Sequence, residues 1–582
     1  MHHEALVPRG SMGVRSAVWG TRPRSGVAGG IVGLVLLTPA LVPLQAEAAE
    51  ADPVPQRPNI LFFFADDWGR YASIYAAEEA APAGLCRVIR TPNIDALGRR
   101  GVVFRHAFVP APSCTPCRSS LLTGRYFFQT GRGAILQGAQ WEEGLPAVPL
   151  LLREAGYTIG KTGKVWSPGT PVDAPFGGQR FAYQQAGMAF QRFSQQAMQA
   201  VEQGESVAQA KERLLRQVEE NFAAFLRQRP KDQPFFYWFG PTNTHRSWAR
   251  GSGQKLWGID PEQLRGRLPP FLPDVPEVRE DLADYLGEVQ ALDSMLGVLL
   301  RQLEQAGETE RTLVVLSGDH GGPGFPRGKC NLYDFGTAVA LIIAGPGVVG
   351  GRTVDDFVNL MDLAPTFLEL AGVAVPKDTA GRSLVPILRS RQSGQVDPSR
   401  SFVITGRERH VADARAGNRP YPQRALRTRE WLYIRNYAPE RAPMGDPKAA
   451  ARTPLPSWEV LAQDTFAAFP DLDAGPTKAW LILHGSEERW RPFFQLAFDP
   501  RPAEELYDLT NDPHQIRNLA QDPRYAEKRQ ELAQQLERLL RAAGDPRVVE
   551  ADCPFERPPF TDPPPKPKNK KKENPSPQSP PG

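Results

Sequence analysis

Asn59-Ile60-Leu61-Phe62-Phe63-Phe64-Ala65-Asp66-Asp67 is the stretch that decides the fold. An apolar run, Ile60–Ala65, stops abruptly on two carboxylates. A continuous apolar run this short suits a strand buried on both faces, as in a sheet with helices above and below it. Phe235–Phe239 (FFYWF), Leu313–Leu316 (LVVL) and Ala338–Ile343 (AVALII) have the same form. Between them, apolar residues recur at helical spacing in Leu150–Ala155, Val201–Arg227 and Asp362–Ala371. The clearest case is Glu280–Gln305, with Leu282, Leu286, Val289, Leu292, Leu296, Leu299 and Leu303 three and four apart. Strands alternating with helices predict an α/β sheet, and ligands of such sheets bind beyond the carboxyl ends of the strands.

The pattern changes after Arg400. Ser401–Thr405 and Trp431–Arg435 read as strands and Pro523–Arg541 as a closing helix, so residues 57–400 are expected to form the main domain and 401–550 a smaller C-terminal subdomain. From Pro554 onward 11 of the last 29 residues are Pro, interleaved with Lys, which predicts a disordered or extended tail over 554–582.

The ends of the chain also carry the charge. The formal net charge is +4. Residues 561–582 hold five Lys against Asp562 and Glu573, and residues 1–50 hold four Arg against three Glu. The body, 51–560, is therefore neutral, which argues against nucleic-acid binding, since that needs a basic face. Residues 1–12, with His2-His3 and Leu6-Val7-Pro8-Arg9-Gly10-Ser11, read as a cleavable expression tag. Residues 13–48 have the order of a secretory signal: Arg15, Arg22 and Arg24, the apolar run Val27–Val42, then Ala46-Glu47-Ala48. A secreted or periplasmic protein with no stable membrane insertion after cleavage is expected. Five Cys, an odd number, exclude a disulfide scaffold and leave at least one with another task.

Two polar pairs stand at strand ends. Asp66-Asp67 closes the first run and Asp319-His320 follows LVVLSG. Three carboxylates and an imidazole from two strand ends could converge on one cation, although strand-end Asp residues also commonly cap helices or make turns. Oxygen-rich sites favour Ca²⁺ or Mg²⁺. The segment Ser113-Cys114-Thr115-Pro116-Cys117-Arg118-Ser119-Ser120-Leu121-Leu122-Thr123-Gly124-Arg125 adds to this. Pro116 suits a first helical turn. That places Cys114 at a helix N-terminus, where the dipole favours anions, with Arg118 one turn on. A zinc site would need a second Cys pair, which the chain lacks.

Cys-x-Pro-x-Arg followed by Leu-Thr-Gly-Arg resembles the signature of the type I sulfatases. Further segments resemble that family in chain order: Asn59–Asp67, Thr91–Leu97, Gly163-Lys164, His245 after FFYWF, Gly318-Asp319-His320-Gly321 and Arg501–Ala520. The resemblance covers roughly 57–545. Within the family, Phe325–Tyr333 with Gly336-Thr337, and Gly406–Arg427, look like the heparan N-sulfatase (sulfamidase) branch. Gly163–Gly169 and His320 look more like the iduronate 2-sulfatase branch.

The resemblance implies an alkaline-phosphatase-like α/β fold: a mixed central sheet flanked by helices, with a smaller C-terminal α+β subdomain. It implies a sulfuric ester or sulfamate hydrolase acting on a sulfated glycan, a glycosaminoglycan for example. Cys114 would be converted to formylglycine by a maturation enzyme, and the aldehyde hydrate would be the nucleophile. Asp66, Asp67, Cys114, Asp319 and His320 would bind a divalent metal, Ca²⁺ with Mg²⁺ as the alternative. Arg118 would hold formylglycine and sulfate oxygens, Lys164 and Lys329 would neutralise the transferring group, and His245 would protonate the leaving group. Arg409 and His410 are the expected substrate-binding residues. One departure from the family pattern is plain: where many sulfatases carry a His two or three residues after the Lys, this chain has Trp166 and Ser167. Two other readings stay open, a formylglycine-dependent phosphonate or phosphate ester hydrolase of the same superfamily and a non-catalytic sulfated-glycan binder.

Overall fold

The structure is a computed structural model that describes residues 57–176 and 178–563. The expected tag and signal segments, and the Pro/Lys tail beyond Pro563, lie outside the described residues. Among the described residues, eleven strands build two sheets. The first seven are β1 (Asn59–Ala65), β2 (Val102–Phe108), β3 (Thr158–Gly163), β4 (Phe235–Gly240), β5 (Thr312–Gly318), β6 (Leu341–Ala344) and β7 (Arg352–Asn359). They form one mixed sheet in the order β3-β4-β1-β5-β6-β2-β7. Only β6 runs against its neighbours, pairing antiparallel with both β5 and β2.

The run that decides the fold lies near the middle of that sheet. Ile60, Phe62 and Phe64 belong to one buried cluster, with Trp238, Val315 and Phe367. Leu61, Phe63 and Ala65 belong to the other, with Tyr237, Leu316 and the long helix Pro276–Gln305. Alternate side chains thus enter opposite cores, which is why the run has no polar member. The other expected elements form with shifted ends. Ala338–Ile343 becomes β6 at Leu341–Ala344. Val201–Arg227 is broken: one helix ends at Glu202 and the next begins at Val207. Ser206 makes the break, since its hydroxyl caps the second helix at Gln209 N and Gln209 returns the bond.

The second sheet is antiparallel, in the order β11-β10-β9-β8, from β8 (Phe402–Arg407), β9 (Gln423–Thr428), β10 (Trp431–Asn436) and β11 (Glu504–Asp508). One face buries Leu426, Tyr433 and Leu506 under Leu532, Leu536 and Leu540 of the helix Ala526–Ala542, together with Phe127 and Phe128, which follow the segment Ser113–Arg125. The other face packs Leu432 and Tyr507 on Leu332 and Tyr333. Phe555 and Phe560, in the stretch expected to begin the tail, pack into the cluster under the helix Ala526–Ala542. No helix among the described residues is long and apolar enough to cross a membrane.

Buried carboxylates tie the long helix to its neighbours. Asp284 accepts from Gly251 N and Gly253 N, Glu288 from Ser194 N and Asn243 Nδ2, and Asp293 from Ile94 N and Asn93 Nδ2. Each caps the first turn of another helix. Burial nevertheless pushes their carboxyls up, Asp284 and Glu288 to about 7 and Asp293 to about 6. A raised folded-state value means stability that is full below the unfolded value and is lost as pH rises through the folded one. Glu288→Gln, which does not ionise, should therefore gain on the wild type between pH 5 and pH 8. Thermal unfolding of both proteins across that window checks it, and a gap that is constant or narrows in the wild type's favour refutes it.

Candidate active site

The register of the parallel strands assembles the site. Ala65 of β1 pairs with Gly318 of β5, so Asp66-Asp67 and Asp319-His320 leave the sheet side by side. Gly163 of β3 pairs with Gly240 of β4, and Lys164 N donates to Gly240 O, so Lys164 leaves at the same edge. His245 follows β4 on that edge. Gly318 permits the close approach: a Cβ there would lie 2.0 Å from Trp68 O. Asp67 takes a left-handed backbone, φ 54°, and its N–H donates to Asp319 Oδ1 at 2.8 Å.

β2 delivers a further component. It runs into the helix Cys114–Thr123, every residue of which is buried. Ser113 is the N-cap residue and Gly124, at φ 70°, ends the helix. Cys114 Sγ sits 3.5 Å from His320 Nε2 and 3.9 Å from Asp67 Oδ1. Burial pushes its thiol up, with Asp66 adding to the effect, so an unmodified cysteine here stays neutral and is a poor nucleophile.

Arg118 is fully enclosed. Its Nε donates to Asp319 Oδ2 at 2.9 Å, Nη2 to Asp66 Oδ1 at 3.1 Å, and Nη1 to Lys164 O and Val165 O. It cross-links the two carboxylate strands and the Lys164 loop. Lys164 Nζ donates to Asp66 Oδ1 at 2.6 Å and Oδ2 at 2.8 Å. Burial alone would raise the Asp66 carboxyl, but Lys164 and Arg118 hold it well below the usual carboxylate range. Asp319 goes the other way: burial raises it and its cationic neighbours only partly offset this. Lys161, the neighbouring lysine, is held apart by Asp173 at 2.6 Å. The other Asp173 oxygen accepts from Val165 N and Trp166 N, fixing the loop that aims Lys164.

Lys329 lies on the opposite side of Asp67. Its Nζ is 3.0 Å from Asp67 Oδ2, 3.4 Å from His245 Nε2 and 3.3 Å from Asp473 Oδ2. Leu332 and Tyr333, packed on the second sheet, anchor its loop. His245 Nδ1 is 2.7 Å from Arg246 O and His320 Nδ1 is 3.1 Å from Gly321 O. With Nδ1–H donating to those carbonyls, each imidazole turns Nε2 into the site.

The donor set fits a divalent cation. Asp67, Cys114 and His320 offer atoms within 4.8 Å of one another, and so do Asp66, Cys114 and Asp319. Buried carboxylates dominate, as hard cations require.

Nine of the expected residues thus converge: Asp66, Asp67, Cys114, Arg118, Lys164, His245, Asp319, His320 and Lys329. Arg409 and His410 are placed differently. Arg409 donates to Gln137 O and Asp562 O, and His410 Nδ1 bonds Ser113 Oγ at 2.8 Å. Both are buried, at 2% and 3% exposure, and bonded to protein partners, with Arg409 Nε left without a hydrogen bond. At the position of the absent His, Trp166 is buried and donates from Nε1 to Ser119 Oγ. The sequence reading missed Asp471 and Asp473. Asp471 accepts from Arg407 and Arg415, and Asp473 pairs with Lys329. Both lie between β10 and β11, in a segment with no motif to mark it.

The sulfatase family model matches residues 58–373. The chain belongs to the sulfatase family and is a sulfuric ester or sulfamate hydrolase. It is 29% identical to human N-sulphoglucosamine sulphohydrolase over 505 residues, covering 79% of this chain and 85% of that protein. It is 26% identical to an ulvan-active sulfatase of Formosa agariphila over 520 residues, 82% of this chain and 74% of that one. Among solved structures, BT4656 in complex with D-glucosamine-2-N,6-O-disulfate superposes with a TM-score of 0.55 at 19% identity, over 85% of this chain and all of that one. At that identity the likeness establishes the fold, including the mixed central sheet.

Proposed function

We propose that this protein is a secreted or periplasmic, formylglycine-dependent sulfatase that removes sulfate from a sulfated glycan, with N-sulfated glucosamine as the favoured residue. One observation carries the reading: Cys114, at a helix N-terminus, faces the Asp67–His320 and Asp66–Asp319 groups within a ring of Arg118, Lys164 and Lys329. The N-sulfated sugar is favoured by the likeness to the human sulphohydrolase.

Asp66, Asp67, Asp319 and His320 would hold the cation, Ca²⁺ by their oxygen-rich character. Formylglycine at position 114, made by a maturation enzyme, and the cation would supply a gem-diol nucleophile and positive charge against the sulfate oxygens. The chain's own groups do the remaining work. Arg118 keeps Asp66 and Asp319 at fixed separation. Lys164 and Lys329 flank the sulfate position with charges that burial in low dielectric makes effective. Their ammonium groups stay protonated, because Asp66, and Asp473 with Asp67, outweigh the burial that would lower them. His245, 38% exposed and outermost, is placed to pass a proton to the departing atom, with Lys329 beside it as the neighbouring proton donor.

Two measurements test this. Peptide mass analysis should show position 114 with sulfur replaced by aldehyde oxygen when the chain is made in a host with the maturation enzyme. Sulfate release should then be detected from N-sulfated glucosamine in preference to O-sulfated monosaccharides. Preference for an aryl phosphonate ester over every sulfated substrate would overturn the proposal.

A further inference from the structure

The segment between β10 and β11 reaches the site through one carboxylate. Its loop 465–473 is pinned by Lys478, which donates to Thr465 O, Phe469 O and Leu472 O. Asp471 locks the same loop to Arg407, whose guanidinium also reaches Cys330 O beside Lys329. On the far side, Gly475 passes over Arg246, where a Cβ would meet Nη1 at 2.4 Å. Arg246 is itself clamped bidentately by Asp281 and follows His245 directly. Asp473 is held between these anchors.

Its carboxylate has capacity left over. Oδ2, itself buried, is ion-paired with Lys329 at 3.3 Å but makes no hydrogen bond, and the 18% exposure that the side chain keeps belongs to its other atoms. Lys329 Nζ in turn touches His245 Nε2. His245 Nε2 and the Asp473 carboxylate thus flank one ammonium within about 7 Å of each other, a gap that one bridging atom can span by hydrogen-bonding to both.

We infer that Asp473 is a specificity determinant that selects N-sulfate over O-sulfate by accepting a hydrogen bond from the sulfamate N–H; this rests on the sulfatase reading above. The chemistry distinguishes the two linkages. A sulfamate nitrogen carries a hydrogen to donate. The bridging oxygen of a sulfate ester has only lone pairs, which a carboxylate repels. A hydrogen bond to a charged acceptor is worth about 1.5–3 kcal/mol, or roughly 10- to 100-fold in rate.

The test compares Asp473→Asn, Asp473→Glu and wild type on N-sulfated glucosamine and on an aryl O-sulfate, with thermal unfolding alongside. Asp473→Asn should lower the ratio of kcat/KM for the N-sulfated sugar over the aryl sulfate by about 10- to 100-fold. Asp473→Glu should restore part of that ratio. Equal losses on both substrates would overturn the inference, because they would mean Asp473 acts only by placing Lys329. Failure of the wild type to act on the N-sulfated sugar would overturn this inference together with the reading beneath it, whereas an active wild type with an unmoved ratio overturns this inference alone.

Discussion

Cys114→Ala is expected to lower kcat by at least about 10⁴-fold while the protein stays folded. The two effects separate because of where Cys114 sits. Its side chain is 2% exposed and small, so truncation to Ala leaves a cavity of about one sulfur atom, a cost of about 1 kcal/mol. None of its contacts is a short hydrogen bond: His320 Nε2 is 3.5 Å away and Asp67 Oδ1 3.9 Å. Chemically the position matters because Cys114 is the group that reaches both His320 and Asp67. The buried neutral thiol should be nearly as inactive as Ala, so wild-type protein made without maturation should match the variant. Sulfate release measured on mature wild type, immature wild type and Cys114→Ala decides the matter. Activity of the variant above about one percent of the mature enzyme would sink the assignment of the nucleophile.

The residues that position chemistry on strand ends were legible because the sheet imposes a simple grammar. A run such as ILFFFA can only be a doubly buried strand, and the polar residues ending it must emerge at its edge. Asp66-Asp67 and Asp319-His320 are therefore readable separately. Their adjacency is not, because it depends on β1 pairing with β5 across some 250 residues of chain. The resemblance supplied that link. The C-terminal part had no comparable grammar. Arg409 and His410 were expected at the substrate only through the resemblance, whereas the fold buries them against Gln137, Asp562 and Ser113. Asp473 gave no sequence signal, since an Asp among Pro, Gly and Ala reads as a turn. The anchors at Lys478, Asp471 and Gly475, distant in sequence from any motif, turn that loop toward Lys329.

Arg118→Met should cost both stability and activity, and Arg118→Lys should divide the two losses. Arg118 is 0% exposed and pairs with Asp319 and Asp66, each at most 2% exposed. Burial would lower its guanidinium, but the two carboxylates more than reverse that, so the charge is permanent. Methionine fills the volume and packs on Phe64, where the guanidinium now lies 4.8 Å from the ring centroid. It leaves two buried carboxylates without their shared cation and two carbonyls without donors. Breaking a buried pair from one side costs about 3–5 kcal/mol, against a total stability of about 5–15 kcal/mol. A marked fall in unfolding temperature is expected, together with loss of turnover as Asp66 and Asp319 part. A divalent cation would answer the same excess negative charge, so added Ca²⁺ should raise the unfolding temperature of Arg118→Met more than that of wild type. Lysine keeps the charge but is a single point donor, unable to span Asp319, Asp66 and the Lys164 and Val165 carbonyls together. Arg118→Lys should thus recover part of the stability and little of the activity. If it instead restores both, charge alone matters and the bridging geometry does not. If Arg118→Met is as stable as wild type, the carboxylates are not held apart by this guanidinium at all.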